Sequence, residues 1–276
     1  HEEFNVNSNA LVKLNNSYGN LDIVTWNEDR VVIDVVITTS GNDEDKVQKK
    51  LDEIFVEFEN NSNLVSAKTK FSKSSKSWWS WGNNNVNMNI NYIVRMPVTN
   101  SVDLNNDYGS INLDKLEGHA KINCDYGKIT TKELLAENNN ISFDYTNNSY
   151  FEYINSGEIK ADYSGFTVGQ TKSLHINADY TKSKVEIAEN ISYNCDYGSF
   201  TVDKVNNLEG NGDYLTVRIG DVYRNIHINA DYGSLKIEDV SFAAEGQRFN
   251  CGKIVAKQLR KSTALALFAV TLGQEF

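Results

Sequence analysis

The sequence predicts an all-β protein: a parallel, right-handed β-solenoid with coils of 17–19 residues, preceded by a small strand-helix-strand cap. Three observations carry this. The dipeptide Asp-Tyr recurs at Asp107-Tyr108, Asp125-Tyr126, Asp144-Tyr145, Asp162-Tyr163, Asp179-Tyr180, Asp196-Tyr197, Asp213-Tyr214 and Asp231-Tyr232, with spacings of 18, 19, 18, 17, 17, 17 and 18. Apolar and polar residues alternate on both sides of each copy, as in strands with one buried face. Pro97 is the only proline of 276 residues, where average usage would give roughly 14. Asn occurs 37 times and Tyr 14 times, which suits strands joined by tight corners.

The elements follow in chain order. Leu14 to Ile23 is an early copy of the unit and closely parallels Leu104 to Leu113. Val31 to Thr39 reads as a strand. Asp43 to Phe55 has apolar residues at Val47, Leu51, Ile54 and Phe55, a helical spacing, with Asn42 or Asp43 as N-cap. Val56-Glu57-Phe58 and Leu64 to Phe71 read as a hairpin. Asn85 to Met96 alternates again as a strand. These segments form the cap that a solenoid needs, because its open end exposes unpaired backbone and core. The coils follow, each apolar-Asn-small-Asp-Tyr-Gly-x-apolar-x-apolar, clearest from Ile228 to Ile237. A weaker punctuation, as at Asp203-Lys204-Val205 or Gly220-Asp221-Val222, predicts a second corner and two or three short strands per coil. A degenerate ninth copy fits Asn250 to Ile254, and Ala264 to Leu272 reads as the closing strand. The resulting organisation is a cap region with the first coil at 1–100 and a repeat region at 101–276.

The period decides between architectures. It is too short for a strand-helix-strand unit of about 30 residues, and less than half a propeller blade. Coils stacked about 4.8 Å apart bring equivalent residues into columns. The hexapeptide signature of left-handed helices is absent, which favours the right-handed coil. The glycine-rich calcium-binding nonapeptide is absent too.

Charge and hydropathy exclude several classes. The net charge of −10 and pI near 5.0 lack the basic stripe that nucleic acids or anionic membranes require. The longest apolar run, Ala264 to Leu272, is about half of the ~18 residues that span a bilayer. The opening His1-Glu2-Glu3 reads as a mature or artificially trimmed start, with any targeting segment already removed.

An early Tyr-Gly copy, a helix-bearing excursion, a strand ending at Met96-Pro97 and then Tyr-Gly coils together resemble the putative adhesin domain family. These are bacterial cell-envelope proteins, common in the Bacteroidetes. The resemblance covers nearly the whole chain. It implies a β-helix, export to the periplasm or cell surface, and a class of function, adhesion, without a ligand or catalytic residues.

Candidate functional residues fall into three groups. The first is the Asp column. Stacked carboxylates about 4.8 Å apart repel by roughly 1 kcal/mol per pair in water, more where the dielectric is low. The simplest offset is an Asx corner, each Asp accepting from its own turn's backbone. The alternative is a Ca²⁺ ladder through Asp107, Asp125, Asp162, Asp179 and Asp196. A third reading is a carboxylate pair that cleaves polysaccharide. Against it, every coil carries the same Asp, and no coil has the long loops that shape a cleft. The second group is the Tyr column: Tyr108, Tyr126, Tyr145, Tyr163, Tyr180, Tyr197, Tyr214 and Tyr232. It reads as a structural ladder, with a sugar-docking aromatic strip as the alternative. The Asn two residues before each Asp (Asn105, Asn123, Asn177, Asn194, Asn211, Asn229) read as an amide ladder. The third group is Trp78, Trp79 and Trp81, in a Ser/Lys/Asn-rich stretch. These rings either plug the cap or form a partner-binding tip.

Cys124, Cys195 and Cys251 lie coils apart, too far for a disulfide, so three buried free thiols are expected. His175 and His227 share a column three coils apart and cannot form a pair. No nucleophile motif, phosphate loop or HExxH helix is present. The sequence therefore reads as a non-enzyme that binds an envelope protein or glycan. A periplasmic structural or regulatory role without external ligand is the alternative, and a polysaccharide-active β-helix the minor one.

Overall fold

The computed structural model describes residues 1–72, 86–241, 248–251, 254–260 and 269–270, with side chains described through residue 238. The fold is a parallel β-solenoid, with one short helix among the described residues. Its contacts divide into two units, 1–130 and 131–276.

The first unit comprises β1 (Glu2–Asn5), β2 (Leu11–Ser17), β3 (Leu21–Trp26), β4 (Arg30–Gly41), α1 (Glu44–Asp52), β5 (Ile54–Asn61), β6 (Leu64–Phe71), β7 (Val86–Pro97), β8 (Ser101–Asp107), β9 (Ser110–Leu113) and β10 (Ala120–Asp125). β11 (Lys128–Leu134) spans the division. β2 and β3 meet at Tyr18-Gly19 and form the first coil. β8 and β9 form the next, in parallel register from Leu11↔Ser101 to Ser17↔Asp107 and from Leu21↔Ile111 to Ile23↔Leu113. β10 continues the stack on β8.

The excursion returns to the other edge of the first coil. β6 pairs in parallel with β2, and β7 in parallel with β3. These two strands therefore precede the first coil in space although they follow it in sequence. Beyond them pairing turns antiparallel: β5 on β6, β4 on β7 and β1 on β4. The reversal ends the run of parallel coils on this side.

The helix is shorter than its apolar spacing suggests. Asp43 caps it, accepting from the Lys46 N–H at 3.2 Å, a bond that holds the Asp43 carboxyl below its usual range. It stops at Asp52, because Ile54 and Phe55 belong to β5, where Ile54 is buried and Phe55 exposed.

The second unit comprises β12 (Asn139–Asp144), β13 (Ser149–Asp162), β14 (Gly165–Asp179), β15 (Lys182–Asn194), β16 (Gly198–Asn211), β17 (Leu215–Ala230), β18 (Ser234–Ser241), β19 (Arg248–Cys251), β20 (Ile254–Arg260) and β21 (Ala269–Val270). β13 to β17 each run unbroken between one Tyr corner and the next. At Asp114-Lys115-Leu116 the expected break separates β9 from β10, whereas in β13 to β17 the second punctuation lies inside a strand, as Gly220-Asp221-Val222 does in β17. Parallel register holds through it because the bend recurs in every neighbour, leaving only a bulge between Val205 and Asn207. Of the predicted closing strand, only Ala269-Val270 is described, paired with Arg248 and Phe249 of β19.

Inward columns fill the coils with apolar side chains. Ile159, Ile176, Tyr193, Gly210 and Ile228 stand in one register. Gly210 is there because Tyr193 is large: a Cβ at Gly210 would lie 2.1 Å from the Tyr193 ring. Phe143 packs edge-on to Phe166 at 5.6 Å.

Candidate functional site

Each Asp-Tyr copy, and the early Ser17-Tyr18, forms the same corner. Tyr18, Tyr108, Tyr126, Tyr145, Tyr163, Tyr180, Tyr197, Tyr214 and Tyr232 all adopt the left-handed region, with φ between 51° and 64°. A side chain pays roughly 1–2 kcal/mol for this conformation. The turn lets the Tyr N–H donate to the Asp carbonyl of the next coil, at 3.0 Å from Tyr163 to Asp179 and 2.9 Å from Tyr180 to Asp196. The position after Tyr must then pass close to the neighbouring coil. Gly fills it at several corners. At others a buried hydroxyl does: Thr146, Ser164 and Thr181 bond back to the carbonyls of Asp144, Asp162 and Asp179.

The rings form stacked rows. In the first unit Tyr18, Tyr108 and Tyr126 stack at 5.2 and 5.1 Å, and Phe71 meets Tyr18 edge-on. In the second unit Tyr145, Tyr163, Tyr180, Tyr197, Tyr214 and Tyr232 stack at 4.8–5.2 Å with interplanar angles of 10° or less. Each ring from Tyr145 to Tyr214 is about half exposed, and Tyr232 is 78% exposed where the ninth copy supplies no Tyr. From Tyr163 to Tyr214 each ring is covered on both faces by its neighbours. The row therefore shows ring edges and hydroxyls outward, and a sugar has no open face to stack on inside it.

The Asp residues use a different hydrogen bond from the expected Asx corner. The carboxylates of Asp144, Asp162, Asp179, Asp196 and Asp213 accept from the backbone N–H of the Asp one coil on, at 2.7–3.1 Å. Where the left-handed Tyr turns the backbone away, the carboxylate takes the place of a strand carbonyl. These charge-assisted bonds offset the repulsion along the column. In the first unit, burial and then the neighbouring Asp125 raise the Asp107 carboxyl above its usual range. Among the described residues no group of three or more His, Cys, Asp or Glu is gathered to hold a metal ion.

The predicted Asn column keeps its register at Asn177, Asn194, Asn211 and Asn229, and in the first unit Asn123 donates to Asn105 at 3.0 Å. A second, unexpected amide ladder runs through Asn190, Asn207 and Asn225 at 2.8 and 2.9 Å. Those residues stand at the bend of successive coils, where the side chains point at one another across the register. His175, Ser192, Glu209 and His227 share a column, which keeps the two His three coils apart. Trp78, Trp79 and Trp81 lie outside the described residues.

Cys124 and Cys195 are free and buried, and burial pushes both thiols up to about 12. The side chain of Cys251 lies outside the described residues. Because the thiolate is the reactive form, at least two of the three thiols should react with an alkylating reagent at pH 8 about a hundredfold more slowly in the native protein than in urea. Equal rates in both conditions would contradict the burial.

One concave site was not read from the sequence. A groove of about 610 Å³ in the second unit is lined by Glu137 to Asn140, Asn155 to Glu158, Lys172 to His175, Asn190 and Ser192. It lies where an inward column loses its apolar side chains. Asn139 and Gly157 stand in register with Leu174, Ile191, Leu208 and Ile226. Two signals mark the place: the 19-residue spacing before Asp144 and the run Asn138-Asn139-Asn140. Asn138 also takes a left-handed φ of 59°.

No family model and no curated protein matches the chain. Similar solved structures include a Parabacteroides distasonis protein described as a putative adhesin, 10% identical over 94% of each chain with a TM-score of 0.42. Another is a Clostridium sporogenes protein described as a putative cell adhesion protein, 11% identical over 93% of this chain and 98% of that one, with a TM-score of 0.20.

Proposed function

We propose that this chain is a non-catalytic, adhesin-like module of a bacterial envelope, exported to the periplasm or cell surface, where it binds a glycan or protein partner. The observation that carries this reading is the row of half-exposed tyrosines in the second unit. Tyr is enriched in interfaces, because it offers a large rigid contact and a hydroxyl at low entropic cost. A row of identical side chains also suits binding better than catalysis, since no member is distinguished from the next. The motif resemblance supports the envelope location.

The test is a binding screen against glycans and extracellular-matrix proteins. The wild type is expected to bind, and a Tyr180→Asn, Tyr197→Asn variant to lose at least about tenfold in affinity. Asn tolerates the left-handed corner, so the coils should persist without the rings. A Trp78→Ala, Trp79→Ala, Trp81→Ala variant runs alongside. Loss in that variant alone would move the contact to the Trp cluster. If the folded wild type binds nothing, the periplasmic role without external ligand replaces this reading.

A further inference from the structure

We infer that the groove of the second unit holds a neutral, linear oligosaccharide laid across successive coils. This rests on the reading of the chain as a binding module and assigns a ligand class to a different surface from the tyrosine row. A regular solenoid has no cavity, since each coil repeats the last. This one opens where Asn139 and Gly157 interrupt an apolar column, so the groove is a local exception to the repeat.

Its lining is mostly amides and hydroxyls, with Glu137, Glu158, Lys172 and His175 beside them and Leu174 as the one large apolar side chain. Amide and hydroxyl groups both donate and accept, as sugar hydroxyls do. A peptide anchored by apolar side chains would find little to pack on. The polar groups also repeat. Ser156, Ser173 and Asn190 form one column, and Glu158, His175 and Ser192 the column beside it. Successive rungs are about 4.8 Å apart, close to the length of one pyranose unit. A linear saccharide can therefore meet an equivalent set of groups at each coil, which a compact ligand cannot. His175 Nδ1 lies 2.7 Å from Ser192 Oγ, which ties two rungs together. Glu137 and Glu158 outnumber Lys172 in the lining, and the chain carries −10 overall, so the saccharide is uncharged rather than a polyuronate.

The experiment is calorimetric titration of the full chain with glucan, mannan, xylan and N-acetylglucosamine oligomers from disaccharide to hexasaccharide, and with an oligogalacturonate. In one neutral series affinity should rise at least about tenfold with length, as each further unit reaches another rung. Two variants test the place: His175→Ala, Asn190→Ala removes partners, and Ser173→Tyr at an exposed rung occludes the groove. Each should weaken hexasaccharide binding at least about tenfold while leaving the melting temperature within a few degrees. Undiminished binding in both variants, preference for the oligogalacturonate, or no binding of any neutral series would overturn the inference. A wild type that binds a matrix protein but none of these saccharides would sink this assignment and leave the adhesin-like reading standing.

Discussion

Replacing Gly109 by alanine should destabilise the protein by about 3 kcal/mol or more, with outright failure to fold as the extreme. A Cβ at Gly109 would lie 1.9 Å from the carbonyl oxygen of Gly19. The clash is with backbone, so no side chain can rotate out of the way. The same approach recurs down the stack: a Cβ at Gly19 would meet the Ile90 carbonyl at 2.1 Å, and one at Gly127 the Gly109 carbonyl at 2.0 Å. Relief at one corner would push coils apart that are hydrogen-bonded along their whole length. Urea unfolding of Gly109→Ala beside the exposed control Glu117→Ala measures the effect, and the control should stay within about 0.5 kcal/mol of wild type. A Gly109→Ala variant as stable as the control would show that the coils are not packed this closely.

Asn16→Leu should cost about 2–4 kcal/mol, although leucine is nearly the same size and more apolar. Asn16 is buried at the inward side of the first corner. Its amide donates to the Ile90 carbonyl at 2.9 Å and to Asn106 Oδ1 at 3.2 Å. Its own oxygen accepts from the Thr69 hydroxyl at 2.8 Å, which is 2.8 Å from the Tyr92 hydroxyl. Burial, only partly offset by the Thr69 bond, pushes that phenol up to about 12, so it stays neutral and can serve as the donor to Thr69. Leucine would leave this chain without its acceptor. Adding Thr69→Val removes one of the stranded groups, so the double variant should lose less than the sum of the singles. Additive losses would mean that the two side chains do not act as one network.

Much of the coil was legible because its information is local. Ile228 and Ala230 alternate with Asn229 and Asp231, and that period alone says which side of the strand is buried. The Asp-Tyr spacing says how long one coil is. Asp43 before Val47 and Leu51 marked the helix start, but Ile54 and Phe55 could not be separated from it, since a short apolar run fits either period. The Asn residues were the hardest to read. Alternation places Asn16 and Asn106 inward with Leu14 and Leu104, and Asn105 and Asn123 outward, but it shows neither the bond between Asn16 and Asn106 nor the left-handed turn at Asn138. Nor was the second-unit groove expected, although the longest spacing of the repeat falls just before it.

By itself, then, the sequence determined the coil period, the inward and outward faces and the identity of each corner, because these depend on residues a few positions apart. Only the tertiary structure decided that β6 and β7 stand before the first coil, that the Asp carboxylates accept from the next coil, and that the tyrosines cover one another's faces. Each of these is a contact between residues 17 or more positions apart. Local alternation reads the same whichever coil lies alongside, and the choice is made by pairing and close packing between coils.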